Sequence, residues 1–196
     1  MLHIVDDEEI IRDSIAWLAK SRSIRSKGYP SAEALLAWID QGIDFDPEGD
    51  CILLDVRMPG LNGVALFDVM TSRSLAQRLP VIFLTGHGDV PMAVDMLKKG
   101  AFDFFEKPFN DNKLMDRVID ALSESRTAGA DSQMKAKRDS LTDREKDVLK
   151  LILEGKLNKT IADELGISMR TVEIHRANIF KKMNVHNAIE LSQMLK

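Results

Sequence analysis

At 196 residues with 44% hydrophobic side chains, the chain is long enough for one large folded domain or two small ones and too apolar to be disordered. A single cysteine excludes a disulfide framework and a thiolate metal cage, and fits a reducing compartment. The net charge of −4 divides unevenly: residues 1–125 hold 13 Lys and Arg against 21 Asp and Glu (−8), and residues 126–196 hold 14 against 10 (+4), which points to two domains, the second facing a polyanion.

No apolar run approaches the roughly 18 residues of a membrane span. The opening MLHIVDDEE has neither a basic segment nor a signal core. A soluble, cytoplasmic protein with no membrane partner is expected.

In chain order, LHIV (2–5) is a candidate strand and residues 8–20 a helix with Ile11, Ile15 and Leu18 on one face. A weaker strand lies near SIRSK (23–27), followed by a helix over 31–40. Then come CILL (51–54), a helix over 64–72, VIFL (81–84), a helix over 90–99, FDFF (102–105) and a helix over 110–122. Near-continuous apolar strands alternating with amphipathic helices predict a doubly wound α/β domain around a five-stranded parallel sheet. The stretch 123–139 is small and charged. It reads either as a flexible linker or as a helical extension.

In such a sheet, sites lie beyond the carboxyl ends of the strands. The first strand is followed by Asp6 and Asp7, the third by Asp55, the fourth by Thr85 and Gly86, and the last by Lys107 and Pro108. Each has a bland explanation as a turn, a cap or a solvated side chain. Their recurrence at successive strand ends does not. Crowded carboxylates resist ionisation without a cation. Oxygen-only ligands suit a hard ion, most simply Mg²⁺. A lysine and a hydroxyl beside them suit an oxyanion. The set reads as a phosphoryl-transfer site with Asp55 as carboxylate nucleophile.

The motifs IVDDEE, LLDVRMPGLNG, VIFLTGHGD and GAFDFFEKPF resemble, in order, the receiver domain of bacterial two-component response regulators, over residues 1 to about 122. The resemblance implies a flavodoxin-like strand order. It implies that Asp55 takes a phosphoryl group from a sensor histidine kinase. Asp7, Asp55 and the Arg57 carbonyl would hold Mg²⁺, with Asp6 acting through water. Lys107 would pair with the phosphoryl oxygens, Thr85 would move to bond one of them, and Phe104 would be the coupled aromatic switch. The Lys107-Pro108 peptide would be cis.

Residues 140–196 read as four helices. LTDREKDVLKLILEG opens with a capping box of Thr142 and Glu145. NKTIADEL starts at the cap-competent Asn158 and stops at Gly166. Ser168 then caps MRTVEIHRANIFKKM, completing a helix-turn-helix, and NAIELSQML follows. On the third of these helices Val172, Ile179 and Met183 share a core side. The opposite side holds Arg170, Ile174, Ala177 and Lys181, flanked by Glu173. An isoleucine there suits a thymine methyl in a major groove, Glu173 suits a cytosine amino group, and Arg170 and Lys181 suit phosphates.

LTDREKDVL, NKTIADELGIS and RTVEIHRANIFKKM resemble the LuxR-type DNA-binding domain. With the receiver motifs, TGHGDVPMAV and DFFEKPF resemble the FixJ-like branch of response regulators. That resemblance implies Lys159 and Thr160 close to the DNA backbone, and double-stranded operator DNA and a sensor kinase as partners, with RNA polymerase a further candidate. It also implies a homodimer on phosphorylation, through a surface that includes Val94 and Lys98. Such a protein is not an enzyme beyond its own phosphotransfer and autodephosphorylation. The rivals are an architectural DNA-binding protein whose receiver no longer switches, and a phosphohydrolase or phosphotransferase acting on a diffusible substrate.

Overall fold

A computed structural model describes residues 1–86 and 90–195. His87, Gly88 and Asp89 of the TGHGDVPMAV motif, and Lys196, lie outside the described residues. The chain divides into two compact units, Met1–Ala130 and Asp131–Lys196.

The first unit alternates β1 (Leu2–Val5), α1 (Glu9–Ser21), β2 (Ser26–Tyr29), α2 (Ala32–Asp40), β3 (Cys51–Asp55), α3 (Gly63–Ser72), β4 (Val81–Thr85), α4 (Val90–Lys98), β5 (Asp103–Glu106) and the part of α5 (Asp111–Asp139) up to Ala130. The strands form one parallel sheet in the order β2-β1-β3-β4-β5, the flavodoxin-like arrangement. Successive strand residues face opposite sides, so each strand feeds two cores. Val5, Ile52, Leu54, Val81 and Phe83 pack with Leu35, Leu66, Phe67, Met70 and Met96 of α2, α3 and α4. Leu2, Ile4, Cys51, Leu53, Ile82 and Leu84 pack with Ile15, Ala19, Leu114, Val118 and Ala121 of α1 and α5. Burial on both faces explains why β3 and β4 carry unbroken apolar runs and why β1 is interrupted only by His3, itself buried and bonded to Tyr29 and Asp50.

Two strand boundaries differ from expectation. The second strand begins at Ser26, not Ser23. Ser23 adopts a left-handed φ of 59° and its amide bonds Lys20 O, while the Ile24 amide bonds Ala19 O, so both residues close α1. As an edge strand with Lys27 and Gly28 exposed, β2 lacks the apolar signal of its neighbours. The last strand starts one residue late, at Asp103. The residue before it, Phe102, instead packs against the second core, and its amide bonds Val81 O.

The helix expected over 110–122 continues to Asp139, so residues 123–139 are helical. Its buried positions run Leu114, Val118, Ala121, Ser125 and Gly129, at helical spacing. Beyond residue 122 the buried face carries serine and glycine, which give no apolar period. Ser125 Oγ accepts from the Asp50 amide at 2.9 Å and donates to Arg78 O at 2.6 Å. Arg78 Nη1 donates to Ser125 O at 2.7 Å, and its guanidinium lies 4.1 Å from the Phe45 ring centroid.

The second unit holds α6 (Asp143–Leu153), α7 (Asn158–Leu165), α8 (Met169–Met183) and α9 (Ala188–Met194). They enclose a core of Leu141, Val148, Ile152, Ile161, Val172, Ile179, Met183 and Leu191. Both bonds of the capping box form: Glu145 N to Thr142 Oγ1 and Thr142 N to Glu145 Oε2. Gly166 ends α7 at a left-handed φ of 62°, and Ser168 Oγ accepts from the Thr171 amide to start α8. Asn158 is not the cap of α7 but its first helical residue. Leu157 holds the cap position, and no side chain caps that end.

Two glycines separate backbone strain from crowding. Gly42 and Gly49 both have positive φ, 96° and 90°, but a Cβ on Gly42 meets nothing within 4 Å, whereas one on Gly49 collides with the Leu122 carbonyl of α5. Gly42→Ala should cost about 1 kcal/mol. Gly49→Ala should cost about 1–3 kcal/mol more, because backbone cannot step aside cheaply. Denaturant unfolding of the two variants side by side checks the difference.

Candidate functional site

The register of the sheet assembles an acidic pocket. Val5 pairs with Leu54, so Asp6 comes level with Asp55 just past the end of β1. Asp55 pairs with Leu84, and Thr85 with Glu106, so Lys107 follows directly after β5. Residues 101 positions apart in sequence therefore meet. Lys107 Nζ lies 2.7 Å from Asp6 Oδ2 and 2.7 Å from Asp55 Oδ1. The Lys107 amide also donates to Thr85 O at 2.6 Å. The Lys107-Pro108 peptide is cis.

Asp6, Asp55 and Thr85 are buried; Asp7 is exposed at the rim. The loops are held by their own backbone. The other Asp55 oxygen accepts from the Arg57 amide at 2.7 Å, and Asp6 Oδ1 accepts from the Glu8 amide at 2.9 Å. Arg12 donates to the carbonyls of Asp6 and Asp7. Glu33 on α2 accepts from the Leu61 amide at 2.9 Å and so fixes the loop after β3.

Burial pushes the Asp55 carboxyl above the ordinary carboxylate range, more than the hydrogen bond from Lys107 pulls it down, and the negative charge of Asp6 adds to the rise. Burial also works against the Lys107 ammonium, but its bonds to Asp55 and Asp6 outweigh it and hold the amine protonated. The two carboxylates thus already converge on one cation. Among the described residues no three His, Cys, Asp or Glu side chains form a metal cluster. Mg²⁺ needs only one or two carboxylates, completed by carbonyl and water oxygens, so this oxygen-only donor set fits it.

Phe104 is half-buried, its ring 6.3 Å from that of Phe83. On α4, Val94 and Lys98 are exposed. Val90 and Leu97, absent from the sequence reading, are exposed at spacings of four and three residues from Val94. The sequence reading also missed Ile10 and Trp17 on α1, which are 79% and 70% exposed. Their signal was available: both fall outside the Ile11, Ile15 and Leu18 stripe that faces the core. They lie seven residues apart, hence on one face. An open groove of about 510 Å³ beside Trp17 is lined by Ile11, Leu18 and Phe109.

In the second unit, α8 buries Val172, Ile179 and Met183 and exposes Arg170, Glu173, Ile174, Ala177 and Lys181. Lys159 and Thr160, at the start of α7, are exposed as well. Arg176, for which the sequence offers no role, lies over the Phe180 ring at 5.4 Å. Lys182 donates to Glu145 Oε2 at 2.7 Å and to Ser140 O at 3.0 Å. It thereby ties the end of α8 to the capping box of α6.

Residues 2–119 match the response regulator receiver domain, and residues 139–195 match the luxR family of bacterial regulatory proteins. The C4-dicarboxylate transport transcriptional regulatory protein DctR of Rhodobacter capsulatus is 47% identical, with 98% of both chains covered. The transcriptional regulatory protein FixJ of Azorhizobium caulinodans is 41% identical, over 98% of this chain and 90% of that protein. The solved structure of the response regulator StyR is similar with a TM-score of 0.69 and 36% identity, over 99% of this chain and 96% of that one.

The tie between α6 and α8 is open to test. Glu145→Ala removes one half of a capping box and the anionic partner of Lys182 together. It should destabilise the second unit by about 1–2 kcal/mol. In calorimetry of the whole chain, the transition of a unit this small should fall by about 4–8 °C per kcal/mol.

Proposed function

The chain belongs to the bacterial response regulators that join a receiver to a luxR-family DNA-binding domain, a phosphorylation-dependent class of transcriptional regulator, and from that premise we propose that Asp55 is its phosphoacceptor and that phosphorylation pairs two copies on operator DNA. The observation that carries this reading is the convergence of Asp6, Asp55 and Lys107 at the carboxyl ends of β1, β3 and β5.

A sensor histidine kinase supplies the phosphoryl group. One Asp55 oxygen attacks phosphorus, a P–O bond forms, and the P–N bond to the kinase histidine breaks, leaving its electron pair on the imidazole nitrogen. Asp7, Asp55 and the Arg57 carbonyl would hold Mg²⁺, with Asp6 acting through water, and the bound ion would supply counter-charge to the transferring oxygens. Lys107 moves its ammonium from the bare carboxylate to a phosphoryl oxygen. The kinase docks on the exposed Ile10 and Trp17 face of α1, which is apolar and begins beside the acidic rim. Water attack on the acyl phosphate later resets the site, so the turnover is confined to the protein's own phosphoryl group.

The phosphoryl group adds nearly two negative charges. Thr85 bonds one of its oxygens, and Phe104 turns inward into the space that Thr85 leaves. The α4 face of Val90, Val94, Leu97 and Lys98 becomes the surface on which two copies pair. A two-fold dimer places two DNA-binding domains on half-sites about one helical turn apart. Glu173, Ile174 and Ala177 enter the major groove, with Arg170, Lys181, Lys159 and Thr160 on the phosphate backbone. RNA polymerase is the downstream partner. Among the described residues no helix is long and apolar enough to cross a membrane, which supports a cytoplasmic regulator.

Incubation with acetyl phosphate and Mg²⁺ should label Asp55 alone, and operator binding and dimerisation should appear together. Asp55→Asn should abolish labelling, and a chelator present from the start should prevent it, because the crowded oxyanions then lose their counter-charge. Val94→Asp should keep the label but leave the protein monomeric by light scattering. Tight operator binding by a labelled monomer would rule out pairing as the switch.

The DNA face has its own signature. Glu173→Ala and Ile174→Ala should reorder preferred sites by about 1–3 kcal/mol per lost base contact. Lys159→Ala should weaken binding to every sequence and lower the salt slope by about one. Selection from a random duplex pool and titration across salt concentrations read the two effects separately.

A further inference from the structure

The second unit carries a groove that neither the acidic pocket nor the operator face explains. It lies between the last turns of α5 and α6 and has a volume of about 680 Å³. Its floor is apolar: Met134, Leu141, Leu149 and Leu153. Leu141 and Leu149 belong to the core beneath. Met134 is half-buried and Leu153 is 42% exposed, so the trough is apolar where a ligand would touch it.

Its rim is cationic. Lys135 and Arg138 line the α5 wall, three residues apart, and Lys146 and Lys150 line the α6 wall, four residues apart. All four are exposed. Among the described residues, Lys135, Arg138 and Lys150 have no carboxylate within ion-pairing distance, and Lys146 has only Asp143 at 3.8 Å. Asp131 and Asp139 also line the groove, which leaves four cations against two anions.

We propose that this groove is the docking site for an acidic amphipathic helix of a protein partner. An apolar trough between two cationic walls complements a helix whose apolar stripe, at i, i+3, i+4 and i+7, is flanked by carboxylates. The α6 wall from Lys146 to Leu153 rises about 10 Å, enough for two turns of such a helix. DNA is the poorer occupant, since phosphates gain nothing from Met134 and Leu153, and the exposed face of α8 lies on another helix. The proposal goes beyond the phosphorylation switch. It assigns the regulator a second macromolecular surface, on α5 and α6 rather than on α8.

The test uses the full chain and a fluorescein-labelled peptide of about five helical turns, with leucines at the stripe positions and glutamates on both flanks. Controls are a scrambled peptide of the same composition and one with lysine replacing each glutamate. Anisotropy should show the acidic amphipathic peptide binding at least about tenfold more tightly than either control. The triple variant K135E/R138E/K150E should weaken it by about tenfold or more, and Leu153→Ser by a smaller factor. Operator affinity, measured in parallel, should stay unchanged in both variants. Equal binding of the scrambled peptide, or indifference to the triple variant, would overturn the proposal. So would loss of operator binding in the triple variant, which would give the face to DNA. Loss of self-association in that variant, with peptide binding intact, would give it to a second copy and overturn it equally.

Discussion

One ammonium sets the terms for the receiver. Lys107 sits 2.7 Å from both Asp6 and Asp55, and without it two buried carboxylates would face each other with no cation between them. Everything that positions Lys107 is therefore indirectly part of the site. The β4–β5 register brings it past Glu106, the Thr85 carbonyl holds its amide, and the two cores fix the strands that carry its partners. Fold and chemistry are coupled here through electrostatics: the sheet keeps the acidic groups close, and closeness makes them need a cation.

Most of this was readable because buried parallel strands leave an unmistakable mark. LHIV, CILL and VIFL are buried on both faces and apolar but for His3, and a polar residue at the end of such a run stands out as Asp6, Asp55 and Thr85 do. The reading failed where burial is carried by something other than apolar side chains. On β2 only Tyr29 is buried, so its position slipped by three residues. On α5 the buried seam passes from Val118 and Ala121 to Ser125 and Gly129, and hydrophobic periodicity cannot follow a face made of a hydroxyl and a hydrogen atom. The exposed Ile10 and Trp17 were missed for the opposite reason. Apolar residues on a helix are credited to its core stripe by default, and only their angular offset shows otherwise.

The second unit shows the limit of local rules. The spacing of Thr142 and Glu145 announces a capping box, and the box forms. The same rule cannot show that Glu145 also accepts from Lys182, 37 residues on, because ion pairs between helices have no sequence period. Nor does cap chemistry reveal that Asn158 lies inside α7, with Leu157 at its cap position. For Glu145 a tertiary contact adds a partner that local chemistry leaves open.

The Ser125 knot bears on how this protein can be taken apart. Ser125 Oγ serves the Asp50 amide and the Arg78 carbonyl at once, and the Asp50 carboxylate in turn accepts from His3 Nε2 on β1 at 3.0 Å. A receiver cut where apolar periodicity ends, near residue 122, would strip the hydroxyl from a buried amide, leave the Arg78 guanidinium without its helix carbonyl, and open the loop before β3 to water. Excised or chimeric receivers should therefore keep the chain through Gly129, where the last buried residue of α5 lies against Arg78. For anyone grafting this receiver onto a foreign output module, the natural crossover lies at the next residue, Ala130.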